Sequence, residues 1–204
     1  MKKILIGLAF TLIGITSLML IPSTQVPAPM PWEVTIMPDG NSKVFDIHLN
    51  TTTYREAQEA LHQYGKTAVF SEEGKTSSAE AYFDSINLGG LSGKLVLTLD
   101  VNDSIIQDLV SRALEARIQP SGAHRYTLNN SNELVDTSIT SITYIPSIKL
   151  KEDMLRHRFG EPETIEPDSD DAATEIWHYP NIGLTLHRND GKKTVLEYAK
   201  PAMH

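Results

Sequence analysis

The sequence predicts an α+β protein. An N-terminal transmembrane or signal helix precedes an antiparallel sheet with helices packed on one face, built from two tandem repeats. Three observations predict this. Residues 4–21 are apolar and uncharged behind Lys2 and Lys3; short β-like runs then alternate with segments of helical periodicity; and the last third of the chain echoes the first part of the domain.

The N-terminal run opens with Ile4, closes with Ile21 and reads ILIGLAFTLIGITSLMLI. As a helix rising about 1.5 Å per residue it spans about 27 Å, close to the hydrocarbon thickness of a bilayer. Residues 22–28 offer no clear Ala-x-Ala cleavage site. An uncleaved single-pass anchor is therefore the favoured reading, and a cleaved signal peptide releasing a soluble periplasmic domain is the alternative. After Lys2 and Lys3 no Lys or Arg appears until Lys43. The positive-inside rule keeps the N-terminus cytoplasmic and sends the domain across the inner membrane into the periplasm. Residues 22–31 hold four prolines (22, 27, 29 and 31) and no charge, which reads as a semi-rigid stalk. The expected organisation is thus an anchor at 1–21, a stalk at 22–31 and an α+β domain at 32–204.

The chain contains no cysteine, which excludes disulfides, thiolate metal sites, a cysteine nucleophile and a lipid on cysteine. Its net charge is −8, and setting aside Lys2 and Lys3 leaves −10 for the remainder. Such a surface repels phosphate backbones, so nucleic acid is not an expected partner.

Within the domain, β-like runs at 32–37 and 42–49 flank Pro38-Asp39-Gly40-Asn41, a hairpin turn signal. Thr53-Tyr54-Arg55-Glu56 fits a capping box opening a helix. Tyr54, Ala57, Leu61 and Tyr64 share one face of it, and Gly65 is the expected C-cap. Strands are expected near 68–71, 81–86 and 94–100. A second helix is expected from Asn102-Asp103-Ser104, with Ser104 and Gln107 at capping-box spacing and Pro120-Ser121-Gly122 as its end. Ile105, Ile106, Leu109, Val110, Ala113 and Leu114 form its apolar stripe. A strand at 124–128 and a polar loop at 129–132 follow.

The repeat rests on two offsets. At 95 residues, Ile47 matches Ile142, His62 matches His157, Tyr64 matches Phe159, Gly65 matches Gly160 and Tyr82 matches Trp177. At 87, Leu97-Thr98-Leu99 matches Leu184-Thr185-Leu186, and Asn102-Asp103 matches Asn189-Asp190. The Gly-rich stretch 87–94 accounts for the change of offset. The units cover about 44–100 and 140–200, and the second helix presents Leu150, Met154, Leu155 and Phe159.

Phe159-Gly160-Glu161-Pro162, the acidic loop after it, Trp177-His178-Tyr179 and two closing strands resemble the small outer-membrane lipoproteins of the SmpA/OmlA type, which assist β-barrel assembly. Two such units in tandem resemble the architecture of β-lactamase inhibitor protein, with helices on one side of a curved sheet. The resemblance implies a protein-interaction module of a bacterial envelope. The lipobox cysteine of the first family and the disulfides of the second are absent here. The anchor, the Pro31-Trp32-Glu33-Val34 start and the two units together resemble proteobacterial envelope proteins, a likeness that carries no activity.

Motifs for catalysis and metal binding fail on inspection. Gly89-Gly90-Leu91-Ser92-Gly93-Lys94 lacks the first glycine and the final Ser or Thr of a phosphate-binding loop, and Gly93 directly follows Ser92, which breaks a nucleophile elbow. Asp168-Ser169-Asp170-Asp171 has Glu161, Glu163, Glu166 and Glu175 nearby, but Ala173 stands where a calcium loop needs glycine. It reads as a solvated loop. The seven histidines form no HExxH or His-x₃₋₅-His pair; His178 and His187 are the pair that neighbouring strands bring together. No catalytic, cofactor or metal residue is therefore assigned, and no cofactor is expected.

Strand alternation is more informative. Leu95, Leu97 and Leu99, and then Leu184 and Leu186, face the core, while Val96, Thr98, Thr185 and His187 face away. Trp177 and Tyr179 point inward, leaving His178 outward, and the repeat puts Phe83 in its place. The predicted partner-binding set is Phe83, Val96, Thr98, His178, Thr185 and His187. The function expected is a non-enzymatic, membrane-tethered scaffold or accessory protein that binds another envelope protein through its sheet. The alternatives are a periplasmic metal-dependent hydrolase using His178 and His187, and a small-ligand or cell-wall binder.

Overall fold

The computed structural model describes residues 29–74, 76–119, 122–129 and 132–202. The predicted anchor and most of the stalk lie outside these residues. Among the described residues, no helix is long and apolar enough to cross a membrane.

The domain begins with a three-stranded sheet of β1 (Thr35–Ile36), β2 (Ser42–Val44) and β3 (Ile47–His48). The predicted turn at 38–41 forms. Asp39 accepts the backbone N–H and the side-chain amide of Asn41, and those bonds hold its carboxyl at about 2. The run 42–49, expected as one strand, breaks at Phe45 and Asp46, both in the left-handed region with φ of 54° and 63°. A two-residue hairpin turn of this kind usually carries Asn-Gly. Positive φ at a bulky residue costs about 1–3 kcal/mol. It persists here because the turn is driven into the core, where the Phe45 ring lies 5.3 Å from that of Tyr144 and 6.1 Å from that of Tyr198.

Helix α1 (Tyr54–Leu61) opens with the predicted capping box, both bonds between Thr53 and Glu56 being present. It closes earlier than expected. His62, with φ of 52°, is the left-handed C-cap, and Tyr64 lies beyond the helix, 86% exposed. Gly65 instead serves the packing between helix and sheet. Its carbonyl accepts the Tyr54 hydroxyl, and a Cβ there would meet the Phe83 ring at 2.9 Å.

A meander follows: β4 (Lys66–Ser71), β5 (Ser78–Leu88) and β6 (Leu91–Leu99). The β5–β6 turn is only Gly89-Gly90, both at positive φ, so the predicted loop 87–94 is mostly strand. Helix α2 (Asp103–Ser111) is capped by Asn102, whose side chain accepts the Ile105 N–H, rather than by Ser104. It stops well before Pro120. Ile106 and Leu109 are buried, whereas Leu114 is 64% exposed outside the helix. The chain instead forms a hairpin of β7 (Glu115–Ile118) and β8 (His124–Thr127).

The last third contributes β9 (Ile139–Pro146), α3 (Glu152–Phe159), β10 (Thr164–Pro167), β11 (Thr174–Tyr179), β12 (Leu184–Asn189) and β13 (Val195–Tyr198). Leu155 is buried and Met154 and Phe159 pack beside it, as the helical pattern predicts; Leu150, expected on the same helix, is buried just before it begins. β10 forms inside the stretch expected as an acidic loop.

The second sheet has ten strands in the order β10-β11-β12-β13-β9-β6-β5-β4-β8-β7, antiparallel throughout. One face of it, the three helices and the β1–β3 sheet share a single hydrophobic core. Trp177, Tyr54, Tyr144 and Tyr198 are its largest fully buried side chains. Polar ends are satisfied on the way in: Tyr198 donates to Pro31 O at 2.7 Å and Tyr144 to Leu91 O at 3.0 Å. Burial pushes the Tyr144 hydroxyl up to about 12. The architecture is therefore helices and a small sheet on one face of a large antiparallel sheet. A helix followed by a three-strand meander occurs twice, as α1-β4-β5-β6 and α3-β10-β11-β12.

Candidate functional site

The face of the ten-stranded sheet opposite the helices carries no packed element among the described residues. It is set by alternation alone. In β5, Ala79, Ala81 and Phe83 are buried while Glu80 and Tyr82 are half-buried; in β6, Leu95, Leu97 and Leu99 are buried while Val96 and Thr98 are not. The strand registers align Lys66, Tyr82, Val96, Thr143, Glu197, Thr185, His178 and Thr164 in one row across eight strands. At about 4.8 Å between strands the row is about 34 Å long.

Five of the six predicted residues lie on this face. Val96, Thr185 and His178 stand in the central row; Thr98 and His187 stand one row to either side of it. Phe83 does not belong to the set. It is 2% exposed, in the core, paired with Leu95. The offset-95 alignment places Tyr82 inside beside Trp177, but Tyr82 faces out and Trp177 faces in. The corrective signal is present in the sequence: Glu80 and Asp84 flank Tyr82 two residues either side, and charged residues mark the wet face of a strand.

Tyr82 is the residue that belongs in the set. The Arg125 guanidinium stacks over its ring at 4.4 Å and Lys66 Nζ approaches at 5.8 Å. Lys66 also pairs with Asp84 at 2.7 Å. Arg125 Nε is buried with no hydrogen-bond partner. Glu80, bonded by the Ser78 hydroxyl at 2.8 Å, has its carboxyl pushed up by burial. Ser141 donates to Thr98 at 2.8 Å. Ile145, Ile176 and Val195, half-buried on the same face, complete an amphipathic surface.

The far end of the face is acidic. His178 Nε2 bonds Glu166 at 2.9 Å, and His187 lies 3.9 Å from both Asp168 and Glu197. The histidines expected as a pair therefore each face carboxylates. Among the described residues, no three metal-ligating side chains converge. Asp168-Ser169-Asp170-Asp171 is a built turn rather than a loose loop. Asp171 accepts from Lys192, Thr174, the Ala173 N–H and Asn189, and the first three hold its carboxyl at about 2. A shallow depression of about 200 Å³, lined in part by His178, Thr185, Ala199 and Lys200, sits at this end. A larger groove of about 520 Å³, lined by Arg55, Gln58, Glu59, His62, Gln63 and Tyr64, lies along α1.

No family model, curated protein or solved structure matches the chain.

Proposed function

We propose that the chain is a non-enzymatic, membrane-tethered interaction module of a bacterial cell envelope, and that it receives another envelope protein on the open face of its ten-stranded sheet. The observation that carries this reading is the central row. It joins an aromatic ring, aliphatic and hydroxyl side chains and a histidine along one uncovered surface, and among the described residues no three metal-ligating side chains converge on it. A surface of this length, mixing half-buried apolar side chains with polar ones, has the composition of a protein-binding patch. Residues 4–21 tether it to the inner membrane with the domain in the periplasm. The two helix-plus-meander units derive from a duplication, and they carry the likeness to the SmpA/OmlA-type lipoproteins and to the architecture of β-lactamase inhibitor protein.

Site-specific photocrosslinking in membranes from the native host tests the reading. A benzophenone side chain at Val96 or Thr185 of the full chain is expected to yield one discrete adduct. Thr143→Arg, which sets a charge at the middle of the row, removes it. Adducts no different from those at Gln58, on the helix side, would defeat the proposal.

A further inference from the structure

The ten-stranded sheet ends on two edges of opposite character. β10 carries Glu166 and ends on Pro167, which has no N–H, with Asp168 directly after it. These are the devices by which natural sheets block pairing with another chain. β7 has no proline, and its two charges, Glu115 and Arg117, are of opposite sign. It reads Glu115-Ala116-Arg117-Ile118, and all four residues are exposed. The apolar side chains at its ends, Leu114 and Ile118, are 64% and 70% exposed, among the most exposed large hydrophobic residues described.

Backbone register shows what this edge offers. Gln119 N–H donates to Ala123 O, in step with the Arg117–Arg125 and Glu115–Thr127 pairs. Antiparallel bonding alternates, so Glu115 and Arg117 bond inward to β8. The N–H and C=O of Ala116 and Ile118 then point out from the sheet. Glu115 and Arg117 share the open face of the sheet, where Arg117 Nε bonds Glu115 at 2.6 Å. Ala116 and Ile118 share the other face, while Leu114 stands outside the strand with its N–H turned inward to Thr127 O at 2.9 Å.

We infer that β7 is a self-association edge, and that two copies of this chain pair antiparallel through it about a two-fold axis at Ala116. The sequence is complementary to itself in that register. Ala116 meets Ala116 of the second copy, so the two free N–H and C=O groups bond reciprocally. Glu115 meets Arg117 and Arg117 meets Glu115, two opposite-charge pairs directly across the strands. The adjacent register, centred on Arg117, would instead set Arg117 against Arg117, a like-charge clash. The axis is perpendicular to the sheet, so the pair forms one continuous twenty-stranded sheet whose open faces look the same way. The dimer leaves the proposed partner surface free and is independent of it.

The absence of cysteine makes the test direct. Ala116→Cys in the full chain, oxidised in membranes, is expected to form a disulfide dimer at least tenfold faster than Ile165→Cys on the opposite edge, because facing residues of a bonded pair lie about 5.5 Å apart. Arg117→Glu or Glu115→Arg, added singly to Ala116→Cys, sets like charges opposite each other and cuts the rate at least fivefold. The double exchange restores it, which a folding defect would not do. Equal rates at the two edges, a cross-link at Ala116 to a different protein, or no recovery in the double exchange would each overturn the proposal.

Discussion

Tyr82 and Phe83 are neighbours in the chain and sit on opposite faces of the same strand. Phe83 is 2% exposed against Leu95 and Gly65, inside the core that joins the sheet to its helices. Tyr82 lies half-buried on the uncovered face, held by Arg125 and Lys66 rather than by packing. The packed face is ordered by burial of apolar surface, which pH does not titrate and salt does not screen. The open face is ordered by cation–π contacts, hydroxyl pairs and carboxylate-centred turns, whose strength depends on both. The first arrangement fixes the fold. The second leaves a surface whose polar groups can exchange partners.

The two neighbouring aromatics give the largest expected contrast. Phe83→Ala opens a cavity among fully buried side chains and should cost about 3–5 kcal/mol. Tyr82→Ala removes a half-buried ring with no cavity to leave and should cost about 1 kcal/mol or less. Urea unfolding of the two variants measures the difference. Equal losses would mean that the open face is a second core. A smaller effect is expected at Gly93, on the packed side of β6, where an added Cβ would lie 2.6 Å from the Tyr144 ring and 2.8 Å from Ile145 O. Gly93→Ala overpacks this site and should destabilise by about 1–3 kcal/mol. The same substitution at Ser92, exposed on the preceding position, should be close to neutral in the same assay.

Local signals are readable because their physics is local. The Thr53–Glu56 capping box, the Asp39–Asn41 turn and the Leu-Thr-Leu alternation each need only a few neighbouring residues. The fold class follows from them, and so do five residues of the open face. The misses have a common cause in tertiary context. β7 and β10 are exposed at every position, so they carry no buried alternation to reveal them; each forms because a hairpin partner supplies backbone bonds. The Phe45-Asp46 turn violates the preference of its own conformation and is held by Tyr144 and Tyr198, about 100 and 150 residues away in the chain. Phe83 is misplaced when the alignment of the two units overrides the charges flanking Tyr82.

The open face should also announce itself in acid. Asp171 gathers Lys192, Thr174 and Asn189 at the β10–β11 turn, and its carboxyl is held at about 2, below the usual 3.8. A lowered carboxyl favours the folded state wherever it is ionised. The contribution is present above about pH 4 and is lost as pH falls toward 2. Asp171→Asn cannot ionise, so it should lower the melting temperature at pH 6 and flatten the acid limb between pH 4 and 2. A limb of unchanged slope would show that the turn contributes nothing to stability.

Glu80 should behave in the opposite sense and by the smallest amount. Its carboxyl lies on the open face between Ala68 and Thr98, and burial disfavours the ionised form more than the Ser78 bond supports it. Its folded value is therefore raised above 4.5. For an acid so shifted, the unfolded chain loses the proton first as pH rises, so the folded state is relatively favoured at low pH. That advantage disappears as pH climbs through the folded value. Glu80→Gln keeps the shape and the Ser78 contact without the charge. It should raise the melting temperature at pH 7 and leave it unchanged at pH 4, where the wild-type carboxyl is itself protonated. A lower melting temperature at pH 7 would mean that ionised Glu80 is paired on this face, and that the open face is electrostatically closed upon itself. An increase, by contrast, would identify Glu80 as a strained charge in the middle of the face, one that a cationic group of a bound partner would relieve.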